Sequence, residues 1–492
     1  MTLTASLRID PQRGKTRINP QVYGHFLEHF HRQVYGGVYE PGSPLSGPDG
    51  LRQDVIAALR ELRVPIVRWP GGCFVSAYHW KDGAGPQRRP AYDKAWRVED
   101  PNTFGTDEFV AWCRAIDAEP YICTNAGTGT PEEMSDWVEY CNLPPSGAGP
   151  WASLRAAGGS PAPHNVRYWS IGNENYGGWE MGAKTAQEWG RFVLESAKMM
   201  KRADPSIHLL AAALPDVDWT LNLLRQAGDL LDMVSIHAYY DPLWQKDEPS
   251  PYNTCIQRSG EVEKTIRLTE EVIAVAGYAG KIGIAFDEWN LRGWHHPDGN
   301  SPAAIAARAR NDRNATYTMA DAVFSAGFLN TCLRHAATVQ MANIAPLINT
   351  RGPLFVHPGG VVRRTTFHVM SLYANQLEAF AADGFTLSDP FEANGSSIPA
   401  LDAAVTCDES MRSWRLALVN RHPEQALACH LFFDGQLQQG SCSAILLQGD
   451  SPDAFNDIAD PERVHPEPVE LPLQDGAVLL PPHSVAILKL AR

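Results

Sequence analysis

Residues 166–175 read VRYWSIGNEN. The first part, Val166–Gly172, is rich in β-branched and aromatic residues, and it closes on Asn173, Glu174 and Asn175. A short run of this kind, bounded by glycine and polar residues, reads as a buried strand. The amphipathic stretch that follows, Thr185–Arg202, reads as a helix.

Outward in both directions the same succession repeats. Strand-like runs occur at Val22–Phe26, Pro65–Trp69, Pro120–Asn125, Val166–Gly172, Ile207–Leu214, Met233–Ala238, Ile282–Phe286 and Val339–Ile344. Gly50–Leu62 and Thr106–Ile116 are helical candidates between them. Strands that alternate with helices build parallel βαβ units. Eight in a row predict a (β/α)8 TIM barrel, a fold of about 250 residues. The span from Val22 to Ile344 leaves room for long βα loops, and two Pro/Gly-rich stretches, Asn142–Asn165 and His295–Pro302, are expected as surface loops.

Past residue 375 the pattern changes. Trp414–Asn420, Leu427–Phe433, Ser443–Leu447 and Ser484–Leu490 are short strand-like runs separated by turn residues, which predicts an antiparallel β-sandwich. Leu3–Ile9 alternates at period two without a helix of its own, so it is expected to join that sandwich. The expected organisation is a strand in 1–15 that pairs with the sandwich, a catalytic barrel over 16–374, and the sandwich over 375–492. A chain of 492 residues exceeds one compact core, as this division requires.

The formal net charge is −14, which makes nucleic acid and anionic membrane surfaces poor partners. There is no apolar run of membrane-spanning length. The N-terminal residues lack the basic, apolar and small-residue pattern of a secretory leader, so a cytoplasmic location is expected. The nine cysteines are scattered, odd in number and without a CxxC pair, which argues against a disulfide framework and a structural zinc site.

In a (β/α)8 barrel the chemistry sits where strands end at the C-terminal face. The fourth run ends in Gly172-Asn173-Glu174-Asn175 and the seventh in Phe286-Asp287-Glu288-Trp289-Asn290. Glu174 and Glu288 can then face each other across the mouth. Two such carboxylates suit glycoside cleavage: one protonates the leaving oxygen and the other attacks the anomeric carbon. A separation of about 5–5.5 Å means retention of configuration and about 6.5–9.5 Å means inversion. As the proton donor, Glu174 is expected to have a pKa raised by anionic Glu288 and partial burial. No HExxH-like ligand spacing is present, and no metal or cofactor is expected.

These two motifs resemble the acid/base and nucleophile motifs of the 4/7 superfamily (clan A) of glycoside hydrolases. Further segments resemble family 51, the α-L-arabinofuranosidases: YGHFLEH (23–29), RWPGGCF (68–74), YHWKDGAGP (78–86), FGTDEF (104–109), SIHAYY (235–240), RRTTFH (363–368) and LVNR (418–421). The likeness runs through the whole chain in order. It implies Glu174 as acid/base and Glu288 as nucleophile. It implies Asn173 on the sugar 2-hydroxyl, Glu28 on sugar hydroxyls, and Cys73 lining the pocket. It puts Tyr239 on the nucleophile with His237 beside it, and Phe26 and Trp96 as aromatic walls. Plainer readings stand beside these: Phe26 as core, Cys73 as packing, Trp96 as a loop anchor, Tyr239 and His237 in structural hydrogen bonds at a strand end, Glu28 as an ion-pair partner of Arg68, Asn173 as a helix cap.

Two positions depart from the family pattern. Pro346 stands in Ala345-Pro346-Leu347-Ile348-Asn349 where the family commonly has a sugar-binding glutamine, and proline offers neither an amide side chain nor a backbone N–H. Trp294 is the nearest aromatic after Asn290 to take an aglycone contact. The resemblance implies release of terminal α-L-arabinofuranosyl units from hemicellulose or pectin fragments by double displacement, in a homo-oligomer such as a hexamer. A β-xylosidase or an endo-glucanase-like hydrolase on the same scaffold is the alternative; a non-catalytic carbohydrate-binding protein fits poorly with two retained glutamates.

Overall fold

The computed structural model describes residues 2–145, 149–243, 248–293 and 297–490. Eight strands close into a barrel: Gly24–Phe26, Ile66–Trp69, Glu119–Thr124, Tyr168–Ile171, His208–Ala212, Met233–Asp241, Gly283–Arg292 and Val339–Ile344. Every neighbour pairs in parallel, and the eighth strand pairs back to the first through Asn343↔Gly24 and Ile344↔His25. All eight predicted runs are these strands. Ile66, Tyr121, Leu210, Met233, Ala285 and Met341, from six of the strands, form a buried cluster separate from the main core. They fill the barrel interior with side chains, as this fold requires.

The helices start where local chemistry says they should. Ala186–Ala203 is capped by Thr185, whose hydroxyl accepts from Glu188 N–H while the Glu188 carboxylate accepts from Thr185 N–H. Its buried face presents Trp189, Val193, Ala197 and Met200 at three- and four-residue spacing. Two expectations need correction. The stretch Asn142–Asn165 contains a helix, Pro150–Ala157, with proline at its first turn and a buried Arg155 that donates to the carbonyls of Tyr140, Leu143 and Ser160. The sixth and seventh strands also run past their predicted ends. His237↔Glu288, Ala238↔Trp289 and Tyr239↔Asn290 remain paired, so Glu288 lies within a strand rather than beyond it.

The C-terminal region forms a seven-stranded sheet and a five-stranded sheet. Leu3–Ile9 is a strand of the smaller one, antiparallel to Gly384–Ser388 and parallel to Leu427–Phe433. Lys15–Arg17 pairs with Phe380–Ala382 at the edge of the larger one. The helix Met319–Arg334 is buried on all sides from Met319 to Leu333 and packs on both the barrel and the larger sheet. No helix among the described residues is long and apolar enough to cross a membrane. All nine cysteines are free thiols.

Candidate active site

Strand alternation alone would point Asp287 and Glu288 to opposite faces. The register between the sixth and seventh strands shifts at Ser235/His237, and that between the seventh and eighth shifts at Phe286/Trp289. These irregularities let successive residues contribute to one site. Asp287 is fully buried and accepts from Tyr121 Oη (2.7 Å) and Ser235 Oγ (2.6 Å). Glu288 accepts at Oε1 from Arg68 Nη1 (2.5 Å) and at Oε2 from Tyr239 Oη (2.8 Å). Arg68 is itself fully buried; its Nη2 donates to Asn173 Oδ1 (2.8 Å) and its Nε lies 3.3 Å from Asp287. Its guanidinium also sits 5.1 Å from the centre of the Phe26 ring.

Glu174 follows the fourth strand with a backbone φ of +45°. For a residue with a Cβ that conformation costs on the order of 1–3 kcal/mol and is held by the surroundings. His237 Nδ1 lies 2.9 Å from Glu174 Oε1 and 3.7 Å from Glu288 Oε1, while its Nε2 is 3.4 Å from Asp287. Oxygens of Glu174 and Glu288 and this imidazole all lie within 4.8 Å of one another.

The expected rise of the Glu174 pKa is not found. Burial works in that direction, but the hydrogen bond and charge of His237, then the indole N–H of Trp179 at 2.9 Å, hold the carboxyl below its ordinary value. Burial alone would lower the pKa of His237; Glu288, Asp287 and Glu174 around it push it up to about 10. The proton of this pair therefore rests on His237, one hydrogen bond away from Glu174.

Glu28 lies two residues past the first barrel strand, Gly24–Phe26, and is buried. Burial, then the charge of Glu288, push its carboxyl up to about 8, against hydrogen bonds from the N–H groups of Gly72 (3.0 Å) and Phe74 (3.2 Å). Gly71 is what lets the chain pass: a Cβ there would meet Glu28 Cγ at 2.4 Å. The side chain of Arg68 hydrogen-bonds to Glu288, Asn173 and Cys123 rather than to Glu28. Asn173 is 1% exposed; its Oδ1 is taken by Arg68 and its Nδ2 has no partner among the described residues. Cys73 lies beside Glu174, with Sγ within 4.8 Å of a carboxylate oxygen. Trp96 is buried in the core and packs on Phe30 at 4.5 Å between ring centres. Trp294 lies outside the described residues.

Four site residues escaped the reading of the sequence. Arg68 stands in the sequence reading only as an ion-pair partner of Glu28, and Asp287 only as part of a motif; a charged residue inside an apolar strand run is the signal for both. Trp179 and Glu180 stand on the loop after Glu174. Trp179 is 68% exposed, and Glu180 is buried with its carboxyl pushed up to about 7 by burial and then by Glu174. Two sets have ligand-like spacing, Cys73/Glu174/Glu180 and Glu174/His237/Glu288. Both contain Glu174, so an ion in either would occupy that carboxylate.

Known proteins with this arrangement converge on one group. Residues 58–257 match the family profile described as α-L-arabinofuranosidase 1 domain, and residues 287–484 the α-L-arabinofuranosidase C-terminal domain. An intracellular exo-α-(1→5)-L-arabinofuranosidase of Halalkalibacterium halodurans is 36% identical, covering 87% of each chain. The α-L-arabinofuranosidase C of Emericella nidulans is 32% identical over 98% of this chain and 97% of its own. The GH51 α-L-arabinofuranosidase of Thermotoga petrophila superposes with a TM-score of 0.88 at 33% identity, covering 99% of this chain and all of that one. A closed parallel barrel with a carboxylate pair across its mouth, joined to a β-sandwich, defines a glycoside hydrolase of the (β/α)8 class. The chain belongs to glycoside hydrolase family 51, the α-L-arabinofuranosidases.

Proposed function

We propose that this protein releases terminal α-L-arabinofuranosyl residues from arabinose-containing oligosaccharides or polysaccharides with net retention. The observation that carries the mechanism is the oxygen-to-oxygen gap of under 4.8 Å between Glu174 and Glu288. Oxygens this close are compatible with the carboxyl spacing of about 5–5.5 Å at which the second carboxylate reaches the sugar itself. The substrate rests on the relatives, whose names state arabinofuranosidase activity.

Glu288 attacks the anomeric carbon from an orientation fixed by Arg68 and Tyr239. As the carbon–oxygen bond breaks, Glu174 gives a proton to the leaving oxygen, drawing on the proton it shares with His237. A glycosyl ester of Glu288 results. Glu174, again a carboxylate, then takes a proton from water as the water oxygen displaces Glu288 and arabinose leaves. The Nδ2 of Asn173 is available to the 2-hydroxyl. Glu28, neutral near pH 7, can donate as well as accept. Cys73 lines the pocket at Glu174, and Phe26 backs Arg68.

Two relatives bear the word intracellular in their names, which supports action inside the cell. A homo-oligomer remains part of this proposal, and light scattering tests it. The test of function is a panel of 4-nitrophenyl furanosides and pyranosides. Release from the α-L-arabinofuranoside is expected to dominate. Preferred cleavage of a β-xyloside or a glucoside would overturn the substrate assignment and favour the alternative enzymes.

A further inference from the structure

Glu180 takes no part in the chemistry above, yet it is buried against it. The residue is 4% exposed, and its carboxyl is met by the thiol of Cys73 and the hydroxyl of Ser76. One oxygen lies within 4.8 Å of both Cys73 Sγ and a Glu174 oxygen. A buried carboxyl whose donors are a thiol and a hydroxyl is costly to ionise, and one in a site asks for a reason. The groups facing it are Glu174 and Tyr176 from its own loop, Cys73 and Ser76 from the turn after the second strand, and Glu288 from the seventh. These are carboxylates, hydroxyls and a thiol. The loop is pinned in place at Gly182, which has a φ of +70° and where a Cβ would meet the Gly127 Cα at 2.5 Å.

We propose that Glu180 is a positioning residue for the acid/base: its carboxyl, held beside Glu174, raises the proton affinity of Glu174. Two carboxyls in one dry site do not ionise independently; once one carries charge, the other holds its proton more tightly. His237 and Trp179 both pull the other way by donating to the Glu174 carboxylate. Glu180 is the counterweight. It draws the proton shared with His237 toward Glu174 for the first step, and it makes Glu174 a stronger base for the second. The upward shift of Glu180 itself, to about 7 by burial and then by Glu174, agrees with this coupling.

The inference rests on Glu174 being the acid/base, and the experiment separates the two. kcat/KM is measured against pH for Glu180→Gln with two substrates: an alkyl α-L-arabinofuranoside, whose leaving group needs a proton, and the 2,4-dinitrophenyl glycoside, whose leaving group does not. The alkaline limb for the alkyl substrate is expected to move toward acid by about one pH unit, and that for the dinitrophenyl substrate to stay. Glu180→Asp, which keeps the charge, is expected to return the limb toward wild type. A folded Glu180→Gln with an unmoved limb overturns the proposal, as does an equal loss on both substrates at every pH. If that variant does not fold, Glu180→Ala must show the same shift. Glu174→Ala serves as the control: equal loss on both substrates there overturns the acid/base reading itself, whereas selective loss there with an unmoved Glu180→Gln overturns only the role of Glu180.

Discussion

At the scale of single residues, Glu288 is held before any sugar arrives. Each of its oxygens accepts one hydrogen bond, from Arg68 and from Tyr239. Glu288→Ala is expected to abolish turnover. Tyr239→Phe leaves the charge in place and removes one donor to it; a hydrogen bond to a charged group is worth about 1.5–3 kcal/mol, so kcat/KM should fall by roughly 10- to 100-fold, which steady-state kinetics measure. Glu174→Ala should lose alkyl glycosides and retain slow cleavage of aryl glycosides with good leaving groups. Glu28 makes a different prediction. Its folded-state pKa of about 8 lies above the ordinary 4.5, so the folded chain binds a proton that the unfolded chain has released. The stability this gives is complete below pH 4.5 and is lost as pH rises through about 8. Glu28→Gln removes that slope. Its thermal midpoint relative to wild type should therefore climb between pH 5 and 8, and parallel curves would contradict it. Glu174 and Glu288 were legible in the sequence because each closes a strand-like run at a position the barrel turns toward its mouth. The His237 proton was not, because it depends on three carboxylates brought to it from the seventh strand and from the loop after the fourth.

At the scale of elements, the site depends on the sixth and seventh strands running on beyond the barrel wall. Arg292 secures them: its buried guanidinium bridges Asp241 at the end of the sixth strand and Asp321 on the buried helix, both at 2.8 Å. Arg292→Met would leave two buried carboxylates without their cation. A loss of about 3–5 kcal/mol is expected, read from urea or thermal unfolding. Gly182→Ala is the corresponding test of the fourth βα loop. The new Cβ has no room against Gly127, so the segment carrying Glu174, Trp179 and Glu180 must move, and activity should fall by more than the change in stability accounts for. Strand positions were legible because apolar runs of β-formers between helical repeats leave few alternatives. Strand ends were not: the extension of the seventh strand through Glu288 and Arg292 places charged residues in a ladder, which only tertiary ion pairs stabilise. The helix Pro150–Ala157 was hidden by the proline and glycine around it.

At the scale of the whole molecule, barrel and sandwich share material. The strand Leu3–Ile9 is completed by residues some four hundred positions away, and the helix Met319–Arg334 fills the seam between barrel and larger sheet. Leu7 is fully buried in that strand. Leu7→Ala should cost about 2–5 kcal/mol, visible as a lowered thermal midpoint. The period-two pattern of Leu3–Ile9 and its lack of a following helix made this pairing legible; its parallel direction against Leu427–Phe433 was not, since alternation carries no information on direction. The sugar itself was never legible from periodicity or spacing. It came from likeness to known enzymes.

The central claim is that Glu288 forms the covalent intermediate and Glu174 resolves it. Glu174→Ala supplied with 2,4-dinitrophenyl α-L-arabinofuranoside lacks the base for the second step but not the nucleophile for the first. Mass spectrometry of the quenched, digested protein should find one arabinosyl unit on the peptide that contains Glu288. An adduct on any other carboxylate, or no adduct together with a product of inverted configuration, would contradict the account.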